Sequence, residues 1–195
     1  MIDQGLYGDR LAKIFPMIQR PHPGIIQSLQ KGTFAAARLA YSGPDGGPTL
    51  PPPPDDAFAL CLRLRHQRAE VWLDGYPARK GVLKDETGVY DLQCETIVHF
   101  KDPFDFLYLY MPRSALAKLA EEQGAGHVHY NIATGASILD PVVAHLGGCL
   151  LPALEQPHQA SEIFIGYVAM ALHTRFLRHS PGSAVAPQRL GTVEA

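Results

Sequence analysis

Residues 102–124, DPFDFLYLYMPRSALAKLAEEQG, decide how the rest of the chain is read. Phe104, Phe106, Tyr108 and Tyr110 fall at every second position, with Leu107, Leu109 and Met111 between them. An extended segment with this spacing carries one aromatic face and one aliphatic face, both suited to burial. Pro112 stops the ladder and suits the first turn of a helix. Leu116, Leu119 and Ala120 then follow at helical spacing until Gly124 supplies a C-terminal cap. The unit is a two-faced strand feeding a short helix. Leu107, Leu109 and Met111 are expected to turn toward a layer of helices. Phe106, Tyr108 and Tyr110 are expected to face the interior of a β-domain, as ordinary core or as the wall of a ligand pocket.

Upstream, the segments read as short strands. In residues 57–66, Phe58, Leu60, Leu62 and Leu64 alternate with Ala59, Cys61, Arg63 and Arg65. If the small side points inward, Ala59 and Cys61 leave space and Arg63 meets a carboxylate or phosphate through a charge-assisted bond; otherwise both arginines are solvated on the outer face. Asp74-Gly75, set between strand-forming residues, predicts a β-hairpin with a two-residue turn. Further strands are expected at 33–42, 81–84, 88–93 and 96–100, a spacing that argues for a sandwich or barrel. Trp72 and Tyr90, on neighbouring strands, join Phe106, Tyr108, Tyr110 and Arg63 as candidate ligand contacts. Residues 43–56, GPDGGPTLPPPPDD, read as a loop or stiff proline spacer, and residues 5–15 as a short helix across the fold.

Downstream, residues 124–135 read as a connection. It contains His127 and His129, whose ligand set is incomplete for a metal, so a surface pair is expected and no metal is assigned. Asp140-Pro141 opens a helix, and Pro152 should kink or end it. In the last helix, near 160–179, apolar residues cover nearly the whole circumference with no charge between Glu162 and Arg175. A helix of that kind needs cover on all sides, and Ile163, Phe164, Tyr167, Val168, Met170 and Ala171 are the candidate homodimer face. Residues 181–195 have the composition of a linker or tail.

The chain has 195 residues, 46% hydrophobic, with a net charge of −2. It shows no basic face, so these residues are not expected to grip nucleic acid directly. The longest apolar helical run is far shorter than the roughly 20 residues that span a bilayer, and no export signal is seen, so a soluble cytoplasmic protein without membrane contact is expected. Cys61, Cys94 and Cys149 are odd in number and set among apolar residues, which suits reduced core thiols.

The segments GLYGDRLAKIF, VWLDGYPARKG, VYDLQCE, DPFDFLYLYMPRSALAKLAEEQG, DPVVAHLGGCLLPALEQP and SEIFIGYVAMALHTRFLRH, in that order, resemble the N-terminal regulatory domain of AraC-family bacterial transcription regulators. The resemblance spans roughly residues 5–179. It implies an α+β chain: a cupin-like antiparallel β-barrel for a small-molecule effector over 1–124, a helical dimerisation region of two or three helices over 125–180, and a linker over 181–195. DNA would be contacted only through a C-terminal helix-turn-helix domain beyond that linker. No catalytic residue and no cofactor is assigned. The rival is a small cupin-type metal-dependent enzyme, an isomerase or dioxygenase, which needs three or four convergent His/Glu ligands or a base beside a nucleophile.

Overall fold

The computed structural model describes residues 6–19, 24–82, 86–124, 134–135 and 137–179. Helix α1 (Leu6–Ile14) and a 3-10 turn (Pro16–Gln19) precede strands β1 (Gly24–Lys31), β2 (Phe34–Tyr41), β3 (Gly47–Pro48) and β4 (Ala57–Arg63). Strands β5 (Gln67–Leu73), β6 (Tyr76–Val82), β7 (Glu86–Asp91), β8 (Thr96–Phe100) and β9 (Phe104–Pro112) follow. The chain then forms α2 (Arg113–Glu122), β10 (Ser137–Leu139), α3 (Pro141–Gly148), α4 (Leu151–Glu155), a 3-10 turn (Pro157–Gln159) and α5 (Glu162–His179).

The strands form a six-stranded sheet, β1-β2-β9-β4-β7-β10, and a four-stranded sheet, β3-β8-β5-β6. Every strand pairing among the described residues is antiparallel. The strand that decided the sequence reading is central: β9 pairs with β2 on one side and β4 on the other, with Leu109 opposite Ala36 and Leu60. Its two faces separate as the alternation requires. Leu107, Leu109 and Met111 pack with Phe58, Leu60 and Leu62 against α2, α3, α4 and α5, while Phe104 and Phe106 pack with Phe15, Leu39 and Phe100 between the sheets. The molecule is layered as helices, large sheet and small sheet, with α1 at one end of the space between the sheets.

Local signals explain the element ends. Asp74 (φ +49) and Gly75 (φ +80) both adopt left-handed conformations, the pattern of a two-residue hairpin whose twist matches its strands. Gly75→Ala is expected to cost about 1 kcal/mol, because a Cβ is disfavoured at that φ. Chemical denaturation should show a lowered midpoint with an unchanged slope. Asp140 caps α3 by accepting from the amides of Val142 and Val143 at 3.0 and 3.2 Å. Pro152 sits in the first turn of α4, so the helix predicted to kink ends at Gly148 and restarts.

Several expectations are corrected. The two sheets do not close into a barrel. At one edge β3 has only two residues, one of them Pro48, and the prolines at 51–54 have no amide hydrogen with which to extend it. Strands β1 and β10 were not foreseen, and residues 81–82 end β6 rather than forming a separate strand. The proline run is no free spacer. The Leu50 amide donates to the Ile14 carbonyl (2.9 Å) and the Asp55 amide to the Leu92 carbonyl (3.0 Å), so the run is strapped between α1 and the sheets. Cys149 is exposed at the end of α3, where a core thiol had been expected. His127, His129 and the linker at 181–195 lie outside the described residues.

Helix α5 does not need cover on all sides from a second copy. Its period of 3.6 puts Ile165, Val168, Ala169 and Leu172 into the core beneath it, so Val168 belongs to the fold of a single chain and not to an outer face. Ala171 is half-buried. Ile163 (70% exposed), Phe164 (45%), Tyr167 (67%) and Met170 (52%) remain as an outward apolar stripe.

Candidate functional site

The inward face of the large sheet is built from alternating small and large residues. Tyr108 on β9 lies between Ala37 on β2 and Cys61 on β4, Tyr110 between Ala35 and Ala59, and Phe106 between Leu39 and Arg63. Two small residues beside each tyrosine leave open space that three large ones would fill. The result is a cavity of about 60 Å³ lined by Cys61, Arg63, Gln67, Tyr90, Phe106 and Tyr108, with Thr49, Thr96, Val98 and Phe100 contributed from the region of the small sheet. Ile14 and Phe15, at the end of α1, Pro52 of the strap and Leu92, just after β7, complete the wall among the described residues. A neighbouring chamber of about 320 Å³ shares Ile14, Pro52, Leu92 and Tyr108 with it and is bordered by Arg10, Lys13, Asp55 and Tyr110.

Arg63 lies at the cavity and is only 4% exposed. Its Nη2 donates to the Tyr90 hydroxyl at 3.2 Å and its Nη1 to the Glu86 carbonyl at 3.4 Å, and its buried Nε has no hydrogen-bond partner. Gly88 makes this packing possible: a Cβ there would sit 2.9 Å from the Tyr90 ring and 3.2 Å from Arg63 Nη1. Gln67 is 2% exposed and its Oε1 is also without a partner. At the outer chamber, the Tyr110 hydroxyl donates to Asp55 Oδ2 at 2.9 Å, and Arg10 Nη2 reaches the same oxygen at 3.3 Å, joining β9, the strap and α1.

Burial dominates the chemistry of the lining. It raises the Tyr108 hydroxyl well above its ordinary value. It also raises Tyr110 to about 12, where the hydrogen bond to Asp55 and that carboxylate's charge add to it. Both phenols stay protonated as donors. Burial likewise pushes the Cys61 thiol up to about 12, against the opposing pull of the Arg63 charge. A thiol at that value holds almost no thiolate near neutrality and is a poor nucleophile. In a native-state titration with Ellman's reagent, the exposed Cys149 should react first and Cys61 only on unfolding; fast labelling of Cys61 would show that the cavity opens freely to water.

Of the sequence-predicted contacts, Arg63, Tyr90, Phe106 and Tyr108 meet around one cavity, and Tyr110 lines the adjoining chamber. Trp72 does not join them. On β5, Ala69 and Val71 point inward, so parity sends Trp72 to the opposite face, its ring 6.5 Å from that of His99. Gln67, Thr49, Thr96 and the strap prolines were missed: polar residues at strand ends and a proline run carry no periodic signal. Gly88 could have been found, as a glycine inside a strand marks a close approach. Among the described residues no three His, Cys, Asp or Glu side chains gather into a group able to hold a metal ion. No helix among them is long and apolar enough to cross a membrane.

No protein-family profile matches the chain, and no curated protein matches it in sequence. Among solved structures, the AraC-like transcriptional activator CuxR is similar over 98% of this chain and 73% of its own, at 12% identity and a TM-score of 0.56. The cupin domain of Schizosaccharomyces pombe Cnp3 aligns over 52% of this chain and 72% of its own, at 17% identity and a TM-score of 0.38. A cupin superfamily protein from Desulfitobacterium hafniense aligns over 48% and 81%, at 12% identity and a TM-score of 0.40. The chain has an α+β cupin-like fold, two unclosed antiparallel sheets followed by C-terminal helices, and its architecture as a whole is similar to that of an AraC-like activator.

Proposed function

We propose that this chain is the effector-sensing and dimerisation domain of a bacterial AraC-type transcription regulator, and that it binds a small molecule without transforming it. The observation that carries this reading is the aromatic-walled cavity holding a buried guanidinium, set in a fold similar over its whole length to an AraC-like activator. Concave, mostly apolar sites with a few convergent polar groups are how proteins hold small molecules. Strand β9 gives occupancy a route outward. Phe106 and Tyr108 line the cavity, while Leu107 and Leu109 pack in the core that includes α5, so a ligand favouring one setting of β9 favours one setting of that helix.

The outward stripe of Ile163, Phe164, Tyr167 and Met170 is assigned to a second copy of the chain, since contiguous apolar surface of this kind marks an interface. The domain works in the cytoplasm without metal or cofactor, and DNA is read by helix-turn-helix motifs outside the described residues. A thermal-shift screen of the purified chain against a diverse metabolite library tests the sensing role: at least one chemical class should raise the melting temperature, and a library without a hit overturns it. Light scattering should give the mass of a dimer that Ile163→Asp with Tyr167→Asp converts to a monomer. Stoichiometric iron, manganese or zinc by mass spectrometry, together with turnover, would move the assignment to a cupin-type enzyme.

A further inference from the structure

We propose that the effector is a small monocarboxylic acid with an apolar body, its carboxylate held by Arg63; this deepens the sensing assignment above and rests on it. A guanidinium stays charged at any pH a protein survives, and burying it without an anion is strongly unfavourable. Arg63 is 4% exposed, its Nε is unpartnered, and both of its hydrogen bonds go to neutral oxygens, the Tyr90 hydroxyl and the Glu86 carbonyl. Among the described residues no carboxylate forms an ion pair with it. The fold therefore keeps a planar cationic donor at an apolar cavity, and the planar anion that fits such a fork is a carboxylate.

The remaining lining narrows the class. Arg63 is the only charged residue among the described residues lining the cavity, so one negative charge is balanced there; a phosphate monoester would bring a second charge with no further cation among those residues to meet it. Val98, Phe100, Phe106 and Tyr108 offer mainly apolar surface, against which the hydroxyls of a sugar would lose their hydrogen bonds to water. Gln67, 2% exposed with Oε1 unpartnered, provides one further polar contact, suited to a single hydroxyl on the ligand. Size sets the orientation. The inner cavity, about 60 Å³, takes the carboxylate and the first carbons, and the body of the acid extends past Ile14, Pro52, Leu92 and Tyr108 toward the chamber of about 320 Å³.

The test compares butyrate, hexanoate and benzoate with butyramide, hexanamide and benzamide, and with inorganic phosphate and glucose, by thermal shift and calorimetry on the full chain and on Arg63→Met. At least one acid should raise the melting temperature by roughly 5 °C or more at a hundredfold excess over its Kd, while its amide, phosphate and glucose leave it unchanged. Affinity for that acid should fall about 100-fold or more in Arg63→Met, the usual consequence of removing one partner of a buried charge pair. Without ligand, Arg63→Met should melt no lower than the unaltered chain, since an unpaired buried charge has been exchanged for an apolar side chain of similar length. An amide binding as well as its acid, or an acid response that survives Arg63→Met, overturns the carboxylate assignment. So does a shift from none of the acids. Binding of glucose or phosphate alone overturns it while leaving the sensing role standing, whereas a metabolite library with no hit removes both.

Discussion

Phe58→Ala is expected to destabilise the domain by about 4 kcal/mol, at the upper end of what truncating a buried side chain costs. Phe58 is 1% exposed on β4, opposite Met111, and its ring lies 5.3 Å from that of Phe176 on α5. The Arg113 guanidinium, at the start of α2, stacks 4.2 Å from the ring centroid while pairing with Asp91 at 2.7 Å and Asp56 at 3.1 Å. One ring thus holds sheet to helix and covers one side of a charge cluster. Removing it costs its transfer free energy, leaves a void that fixed strands on both sides cannot close, and takes away a cation–π contact of about 1 kcal/mol. The melting temperature should fall by roughly 10 °C. Phe58→Leu, which keeps most of the volume, should lose less than half as much. A denaturation midpoint unmoved by Phe58→Ala would contradict the docking of α5 on this sheet.

Asp140→Ala is expected to cost about 3 kcal/mol, from one carboxylate in two roles. The side chain, 4% exposed, caps α3 and accepts from Arg175 Nε on α5 at 2.8 Å, so it ties two helices together. A lost cap is worth about 1 kcal/mol, and the rest follows from losing the charge-assisted hydrogen bond that a partly buried guanidinium makes across to α3, worth about 2 kcal/mol. Asp140→Asn keeps an acceptor for the amides and should lose less. The pH dependence has a definite sign. Burial pushes the Asp140 carboxyl up, but the hydrogen bond from Arg175 and those from the Val143 and Val142 amides outweigh it, so its folded pKa lies below the ordinary value. A depressed folded pKa contributes stability that is full above the unfolded value, near 3.9, and is lost as pH falls through the folded one. Urea titrations from pH 6 to pH 2 should show a steeper acid loss in the unaltered chain than in Asp140→Asn; equal slopes would remove Asp140 from the acid response.

Legibility in the sequence followed the range of the interactions involved. The hairpin at Asp74-Gly75, the cap at Asp140 and the break around Pro152 depend on a few adjacent residues, and each was read correctly. Strand β1, GIIQSLQK, shows no strict alternation and was missed; it is an edge strand, half-covered on both faces, so burial imposes no period of two. Strand β10 has three residues, too few to carry a pattern. The proline run was read as a spacer because composition reports stiffness but not the backbone groups of Ile14 and Leu92 that hold the segment down.

What the sequence determined by itself is that β9 has one aromatic and one aliphatic face and runs straight into a helix. Alternation is a property of the extended backbone, and a proline ends the ladder wherever the strand lies. What only the tertiary structure decided is what each face meets. Trp72 and Tyr90 are equally aromatic and both sit on strands, yet parity within β5 sends one outward while Gly88 makes room for the other beside Arg63. Whether Arg63 is solvated or buried was open for the same reason: its surroundings come from Phe106 and Tyr90, distant in sequence, which reach it only once β4 is paired between β9 and β7.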